Sequence, residues 1–429
     1  MKHYVEQYRS FSENGASRAP AWLKDRRKSG IDDFERQGFP TSRAEEWRFT
    51  NIRAIASHEY ELSHQPGSVD PAAVSSLTLT DEHHRLVFVD GHFVSDLSDL
   101  ADIPAAVHAG SLLTMVGSDA ELVERHLGRY ARSDSNPFTA LSTAFIQDGP
   151  FVHVPEGIVV REPIELLFIS TRDDSMTHPR SLVVLGDNAQ AVFVESYVSL
   201  DGMRYLTNAV TEIVVGDNAH CEFYRIQREA AAAHHIAAVC SYQGRDSRFA
   251  ATHLSFGAAL ARNDLRLTLD GEGGEGTLRG LYVTNGTQHV DFHTIIDHAK
   301  PHCQSYEHMN GILDDNSRAV FTGRIIVREG AQKTDSKQSN NNLLLSQSAR
   351  ADSQPQLEIY ADDVRCTHGA TLGPMSEEAV FYLRSRGVDE RGARRLLTYG
   401  FASEIISRIS VAAARDEIDA LVRDSLAVE

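Results

Sequence analysis

The chain reads SLVVLGDNAQAVFVESY at residues 181–197 and TEIVVGDNAHCEFYRIQ at residues 211–227. The tetrapeptide GDNA begins at Gly186 and again 30 residues later at Gly216. In both copies it separates two runs rich in β-branched and aromatic residues, so each unit predicts a strand, a tight polar turn and a second strand. One such unit cannot bury its apolar face, whereas a stack of units forms a continuous core. The repeat therefore predicts a β-solenoid.

Weaker echoes of the same unit begin at Gly244 (GRDSRFAATHLSF) and at Asp314 (DDNSRAVFTGRIIV). Aspartate and asparagine suit these turns because they tolerate a left-handed backbone conformation. A closed barrel would not require the same turn residues to recur, so the pattern favours a right-handed parallel β-helix. On that fold we expect Asn340, Asn341 and Asn342 to stack as a polar ladder with a structural role.

Helical patterns flank the strand-rich region, and the fold class is expected to be mainly β. We predict a mostly helical domain over residues 1–150, a β-helix core over 151–374 and a C-terminal helical domain over 375–429. An amphipathic helix is predicted within residues 389–413, because apolar residues recur there every four positions: Ala393, Leu397, Phe401, Ile405 and Ile409.

Short motifs predict where several elements begin. S-x-x-E capping boxes start at Ser42 and at Ser118, and each predicts the first turn of a helix. Asn136 before proline and Ser376 before two glutamates are typical N-caps. The dipeptide Asp90-Gly91 between two short β-like runs predicts a hairpin.

Composition excludes several function classes. The 429 residues are 41% hydrophobic and 24% charged, with a net charge of −18, which argues against a general polyanion binder. No signal-peptide core and no apolar run near the ~18 residues of a membrane span are present. Four widely spaced cysteines without a C-x-x-C pair indicate free thiols in a reducing compartment. We expect a cytoplasmic protein that binds neither nucleic acid nor membrane.

Nucleotide chemistry is not indicated by the glycine-rich segment 271–276, GEGGEG, although it matches G-x-G-x-x-G. The segment lies between two strand-like runs and not at a strand-to-helix turn. Glu272 and Glu275 would also repel a pyrophosphate. The chain contains no P-loop, no H-E-x-x-H and no G-x-S-x-G motif.

Histidines crowd residues 289–308, HVDFHTIIDHAKPHCQSYEH. Imidazole and thiolate suit iron or zinc, and His298, His302 and Cys303 are the candidate metal ligands of this stretch. His298 and His302 would share one face of a strand unless Pro301 interrupts it. The spacing is not diagnostic of a metal site, and the alternative is that these side chains cap turns or line a wet face of the solenoid.

Cys366 and His368 lie in IYADDVRCTHGATLGP, residues 359–374, where the strand-rich pattern gives way to a helical one. An extended C-x-H segment directs both side chains to one face, with Cα atoms ~6.5–7 Å apart, so both could reach one metal or one partner group. Iron–sulfur clusters usually have four protein ligands, so further ligands would come from a second chain. The alternative is a buried thiol beside a turn histidine.

Residues 318–387, with the C-T-H-G-A motif at 366–370, resemble the core signature of the SufB/SufD family of iron–sulfur cluster assembly proteins. HVDFHTIIDHAKPHCQS at 289–305 is also similar to that family. The pattern P-T-x-x-x-E-E-W-R-F-T at 40–50 resembles its SufD branch. One departure is Met309-Asn310, where the family typically shows Tyr-Lys before the glycine, and this puts any role for that lysine in doubt.

The resemblance implies a β-helix between helical ends that serves as a non-enzymatic scaffold of the SUF system, in cluster formation, iron delivery and iron homeostasis. It implies a complex with a SufB chain and two copies of the SufC ATPase, and leaves open a homodimer when the chain is alone. The last coils would meet SufB, where His368, with Cys366 secondary, would help to hold a transient cluster or iron that the isolated chain does not keep. The C-terminal helices would dock SufC, and the candidate contacts are Arg394, Leu397, Phe401 and Ile405.

Two competing functions belong to other classes. A stand-alone β-helix enzyme acting on polysaccharide would require paired carboxylates, and Asp362-Asp363 is the pair available. Adjacent residues of a strand point to opposite faces, however, so they cannot act as one pair. A homodimeric interaction protein without metal chemistry would have the same composition.

Overall fold

The computed structural model describes residues 1–13, 19–80, 84–200 and 202–426. Most of the regular structure is β. The strands of the described residues are β1 (Glu61–Leu62), β2 (Arg85–Val89), β3 (His92–Phe93), β4 (His108–Ser111), β5 (Pro150–Val154), β6 (Ile164–Ser170), β7 (Ser175–Thr177), β8 (Arg180–Leu185), β9 (Gln190–Ser199), β10 (Leu206–Val215), β11 (His220–Arg228), β12 (His234–Gln243), β13 (Arg248–Ser255), β14 (Leu260–Leu269), β15 (Glu275–Thr284), β16 (His289–His298), β17 (Gln304–Leu313), β18 (Arg318–Val327), β19 (Asp335–Leu344), β20 (Arg350–Ile359) and β21 (Arg365–Pro374).

Helices lie on either side of this strand-rich region. They are α1 (Lys2–Glu13), α2 (Ala21–Gln37), α3 (Arg53–Ala56), α4 (Pro71–Leu77), α5 (Leu112–Ser118), α6 (Ala120–His126), α7 (Pro137–Ala144), α8 (Glu377–Ser385), α9 (Glu390–Ile406) and α10 (Ala412–Ser425). Short 3-10 helices span Glu45–Trp47 and Ser95–Leu97. None of the helices in the described ranges is long and apolar enough to cross a membrane.

Two sheets form the walls of a solenoid of about 8 turns. Sheet 1 runs in the order β20-β18-β16-β14-β12-β10-β8-β5-β4, and sheet 2 in the order β21-β19-β17-β15-β13-β11-β9-β6-β2-β3. Successive strands of the coils alternate between the two sheets, and each pairs in parallel with the strand one coil away. The mainly β, solenoidal fold predicted from the repeat is confirmed.

The two GDNA turns lie directly on each other in neighbouring coils. The Asp217 backbone N–H donates to Asp187 Oδ1, and Asn218 Nδ2 donates to Asn188 Oδ1, both at 2.8 Å. Asn188 and Asn218 have φ values of 59° and 55°, the left-handed region that asparagine tolerates. The same left-handed corner recurs in the following coils at Asp246, Gly273, His302 and Lys333. The same turn position therefore recurs once in each of these coils, as the spacing of the GDNA repeat predicts.

The predicted asparagine ladder is only partly correct. Asn340 and Asn342 point into the solenoid, where both bond the buried hydroxyl of Tyr282, at 3.0 and 2.7 Å. Asn341 points to the opposite face and donates to Asn310 at 3.2 Å. Successive residues of a strand alternate in direction, so three adjacent asparagines cannot form one ladder.

The N-terminal helices and loops cover the outer face of sheet 1. Trp47 is buried, with the Arg262 guanidinium 3.8 Å from its ring centroid. Thr50 donates to Asp291 at 2.6 Å, and Arg262 donates to the same carboxylate at 2.6 Å. A buried ionic network therefore fixes this module to the sheet.

Two predicted helix starts are wrong. The turn after Ser42 is a 3-10 helix whose N-cap is Ala44, without a side-chain bond. Ser118 ends α5, and α6 starts after Asp119. Packing on the sheet overrides the local capping signal. The N-caps at Asn136 and Ser376 and the hairpin at Asp90-Gly91 are confirmed.

The C-terminal helices cover the outer face of sheet 2. Ile405 and Ile406 of α9 pack with Leu281 and Ile312 of the sheet in one apolar cluster. The helix predicted within 389–413 ends at Ile406, and a separate helix, α10, starts at Ala412. Residues 427–429 of the predicted C-terminal domain lie outside the described residues.

Candidate functional site

The last coil leaves one end of the solenoid open. β20 is the terminal strand of sheet 1 and β21 the terminal strand of sheet 2, so each has one edge unpaired within the described chain. The side chains of these strands are half-buried or exposed, whereas those of earlier coils are largely buried. Two adjacent free edges are a template for pairing with another chain.

Cys366 and His368 are brought to the same side of β21. They pair in register with Ser336 and Gln338, both of which are buried inside the solenoid. Because side chains alternate along a strand, Cys366 and His368 face the interior side of the open coil, together with Ala370 and Leu372. The C-x-H geometry expected from the sequence is therefore present.

The Cys366 thiol is half-buried and packs against the apolar interior. Burial raises its pKa, and the nearby Asp335 carboxylate raises it further. The thiol is protonated at neutral pH, so it is a poor nucleophile until a partner or a metal removes the proton.

The His368 imidazole is exposed and makes no hydrogen bond or ion pair with any residue in the described ranges. Gly369 follows it, and a Cβ placed on that glycine would meet nothing within 4 Å. A neutral imidazole nitrogen is a good ligand for iron. The histidine is thus open to a group brought by another chain.

Two polar residues beneath His368 were missed by sequence reasoning. Gln338 lies one coil deeper and donates from Nε2 to Glu307 Oε2 at 2.7 Å. Both are buried, and burial raises the pKa of Glu307 to about 6. The register pairs 307 with 338 and 338 with 368, so counting back by one coil length from His368 would have found them.

Large apolar side chains are exposed on the last coil and on the helix that follows it. Ile359 and Tyr360 at the end of β20, Leu372 on β21, and Phe381 and Tyr382 on α8 are exposed large hydrophobic residues. Large exposed apolar side chains are typical of interaction surfaces.

The candidate metal set His298, His302 and Cys303 is not brought together. His298 is buried inside the solenoid with Nε2 2.9 Å from Ser305 Oγ, and burial lowers its pKa to about 4. His302 occupies an exposed left-handed corner. Cys303 is buried and donates to the Gly271 carbonyl at 3.2 Å. Within the described ranges, no group of three His, Cys, Asp or Glu side chains is arranged to hold a metal ion.

The four candidate docking residues of α9 differ in access. Arg394 pairs at the surface with Glu377 at 2.9 Å, and Leu397 and Phe401 are half-buried. Ile405 is 1% exposed against sheet 2, so its inclusion as a partner contact is wrong. The exposed apolar residue of this helix is Leu396.

Comparison with known proteins places the chain among cluster assembly proteins. A family model described as the SufBD core domain of SUF-system FeS cluster assembly matches residues 168–401, and one described as the SufBD protein N-terminal region matches residues 1–166. An iron–sulfur cluster assembly SufBD family protein of Synechocystis is 34% identical over 92% of this chain and 89% of its own. The iron–sulfur cluster assembly protein SufD of Escherichia coli is 31% identical over 95% and 92%, and that of Bacillus subtilis is 26% identical over 97% and 96%.

Proposed function

The chain belongs to the SufBD family, and from this premise we propose that its open coil joins a SufB-like chain and that a new iron–sulfur cluster is assembled at the junction. It is a subunit of the SUF cluster assembly machinery. In this proposal the chain is a non-enzymatic scaffold that acts in the cytoplasm, and iron and sulfide are its cargo.

One observation carries the proposal: the last coil presents two free strand edges around Cys366 and His368. Backbone pairing along both edges would continue the two sheets into the partner and hold its side chains against these residues. Two ligands from this chain and the remainder from the partner would satisfy the four-ligand requirement of a cluster.

The roles of the two residues follow from their surroundings. His368 is exposed, so its imidazole is accessible to iron brought by another chain. Cys366 is half-buried, with a raised pKa, and must first lose a proton. We therefore assign His368 the main contact with the nascent cluster and Cys366 a secondary one.

The ATPase partner is proposed to dock on the C-terminal helices. Leu396 of α9 and Phe381 and Tyr382 of α8 are exposed apolar residues. A cleft of about 840 Å³ borders these helices and is lined, among others, by Met375 before α8, Arg395 of α9 and Leu426 after α10. Exposed apolar side chains beside arginines are typical of protein–protein interfaces.

Anaerobic co-expression with the SufB-like and SufC-like chains tests the proposal. We expect all three chains to co-purify with iron and sulfide. Leu372→Glu should release the SufB-like chain, because it places a charge on the inner face of the open coil. The control is Leu113→Glu, at an equally exposed leucine of α5. Retention of the SufB-like chain by Leu372→Glu, as by the control, would overturn the assigned interface.

The polysaccharide-enzyme alternative has no support. Asp362 and Asp363 are exposed at the corner between β20 and β21, and Asp363 forms an ion pair with Lys333. They stabilise a turn and do not face each other across a groove.

A further inference from the structure

A cleft of about 310 Å³ opens where residues 130–139 cross the outer face of sheet 1. None of its lining residues belongs to β20 or β21, the strands of the open coil. Its floor is formed by two register rows across β12, β14 and β16, namely Ala238, Asp264 and His293, and Cys240, Arg266 and Ile295. Ala238 and Cys240 have small side chains, so a space remains between the sheet and the crossing segment 130–139.

His293 is 6% exposed and lines this cleft. Its Nδ1 lies 3.2 Å from Arg262 Nη2. Nδ1 also lies 3.5 Å from Asp264 Oδ1. Arginine can only donate, so with Arg262 as its nearer neighbour Nδ1 accepts, and Nε2 carries the ring hydrogen. Nε2 is buried and has no hydrogen-bond partner among the described residues. Buried donors in native proteins are almost always paired, so this N–H is suited to an acceptor in the cleft.

Arg266 is the positive charge that this cleft would offer to a ligand. Arg266 is exposed and makes no ion pair within the described chain. Asp264 pairs with Arg262 at 2.7 Å, and Asp291 shares the same guanidinium at 2.6 Å. Asp264 also accepts from Asn136 at 2.8 Å. Burial raises the pKa of the Cys240 thiol to about 12, so it stays uncharged.

We propose that this cleft binds a small oxyanion of the phosphate or sulfate type. The ligand would accept from His293 Nε2–H and from the Arg266 guanidinium, beside the first turn of α7, whose N-terminus carries partial positive charge. Glu46 also lines the cleft and is the acidic side chain there without a counter-charge in the described chain. Its carboxylate opposes binding and limits the affinity.

Calorimetric titration of the full chain with inorganic phosphate, at constant ionic strength, tests this site. We expect saturable binding at one site. Arg266→Gln should weaken it about tenfold or more, through loss of a charge-assisted bond. Ala238→Leu should abolish it by filling the floor, and Glu46→Gln should strengthen it. Arg408→Gln is the matched control, since Arg408 is an exposed arginine without an ion pair in the described residues and lies after α9, on the side of sheet 2.

Selenate soaked into crystals should give an anomalous peak within hydrogen-bond reach of Arg266 and His293. Because Arg266 is exposed, its variant is expected to fold even if Ala238→Leu does not. Absence of saturable phosphate binding, or binding that Arg266→Gln leaves unchanged, would overturn the proposal.

Discussion

Gln338 lies in register directly behind His368, one coil deeper in the solenoid. Gln338 is buried and His368 is exposed, so the two residues mark the transition from the closed interior to the open end. Gln338 in turn donates to Glu307 at 2.7 Å, so a polar column leads inward from the candidate cluster residue to a buried carboxyl group. The other oxygen of that carboxyl group has no partner among the described residues.

Glu307 makes stability depend on pH in an unusual direction. Burial raises its pKa to about 6, whereas the unfolded chain should titrate near ~4.3. Between these values the folded protein binds more protons than the unfolded one, so its free energy of unfolding falls as pH rises and levels off above pH about 6. Glu307→Gln keeps the acceptor for Gln338 and should remove this dependence, a relative gain of about 2 kcal/mol at pH 7 over pH 4.

Urea unfolding of the wild type and of Glu307→Gln at both pH values measures this gain. Glu378→Gln is the control for loss of a carboxylate, at an exposed residue of α8 that forms no ion pair among the described residues. Equal pH profiles for wild type and Glu307→Gln would contradict a raised pKa of the buried Glu307.

The stacked turns predict a second effect on stability. Asn218 has φ of 55°, which a β-branched residue adopts only at a cost. Asn218→Val should lower the free energy of unfolding by about 1–2 kcal/mol. Asn218→Gly accepts the backbone angle and loses only the bond to Asn188, so it should cost less. If thermal unfolding ranks the glycine variant below the valine variant, backbone strain does not explain the turn.

The repeat was sufficient to predict the solenoid because the spacing between Gly186 and Gly216 equals the length of one coil. Whether the apolar stripe of α9 packs on this chain or on a partner could not be predicted, because only the position of sheet 2 decides that Ile405 is buried while Leu396 is exposed. Cys366 and His368 were found from their spacing. Glu307 is 61 residues from His368 in sequence, and only the register of the coils relates it to the site.

The solenoid interior contains a buried ion pair whose loss should be costly. Arg225 Nη2 lies 2.5 Å from Glu195 Oε2, and the side chains are 1% and 0% exposed. Arg225→Met leaves the carboxylate buried without its counter-charge, so we expect a loss of about 3–5 kcal/mol. Adding Glu195→Gln removes the charge and should restore part of that loss. A double variant less stable than Arg225→Met in urea unfolding would exclude this explanation.

The proposed ATPase surface can be tested without removing a helix. Deleting residues 389–429 would expose the apolar face of sheet 2 that α9 covers, so loss of binding would be ambiguous. Leu396→Asp changes an exposed position and should abolish co-purification of the SufC-like chain while the circular dichroism spectrum stays unchanged. Leu113→Asp, on α5, is the matched control and should retain it. If Leu396→Asp also retains the ATPase, the docking surface lies elsewhere.

The cluster role of His368 predicts that iron content and complex assembly respond separately to substitution. His368→Ala should leave the complex intact, because the many backbone bonds of two strand edges outweigh a single exposed side chain. It should lower the iron and sulfide that purify with the complex, because the nascent cluster loses its neutral nitrogen ligand. Cys366→Ala should lower them less, since burial keeps that thiol protonated. Thr367→Ala, on the opposite face of β21, is the control and should match the wild type.

Chain stoichiometry and iron are measured on the same anaerobic preparation. Normal iron with His368→Ala would remove the histidine from the chemistry, and dissociation of the complex would make it an interface residue.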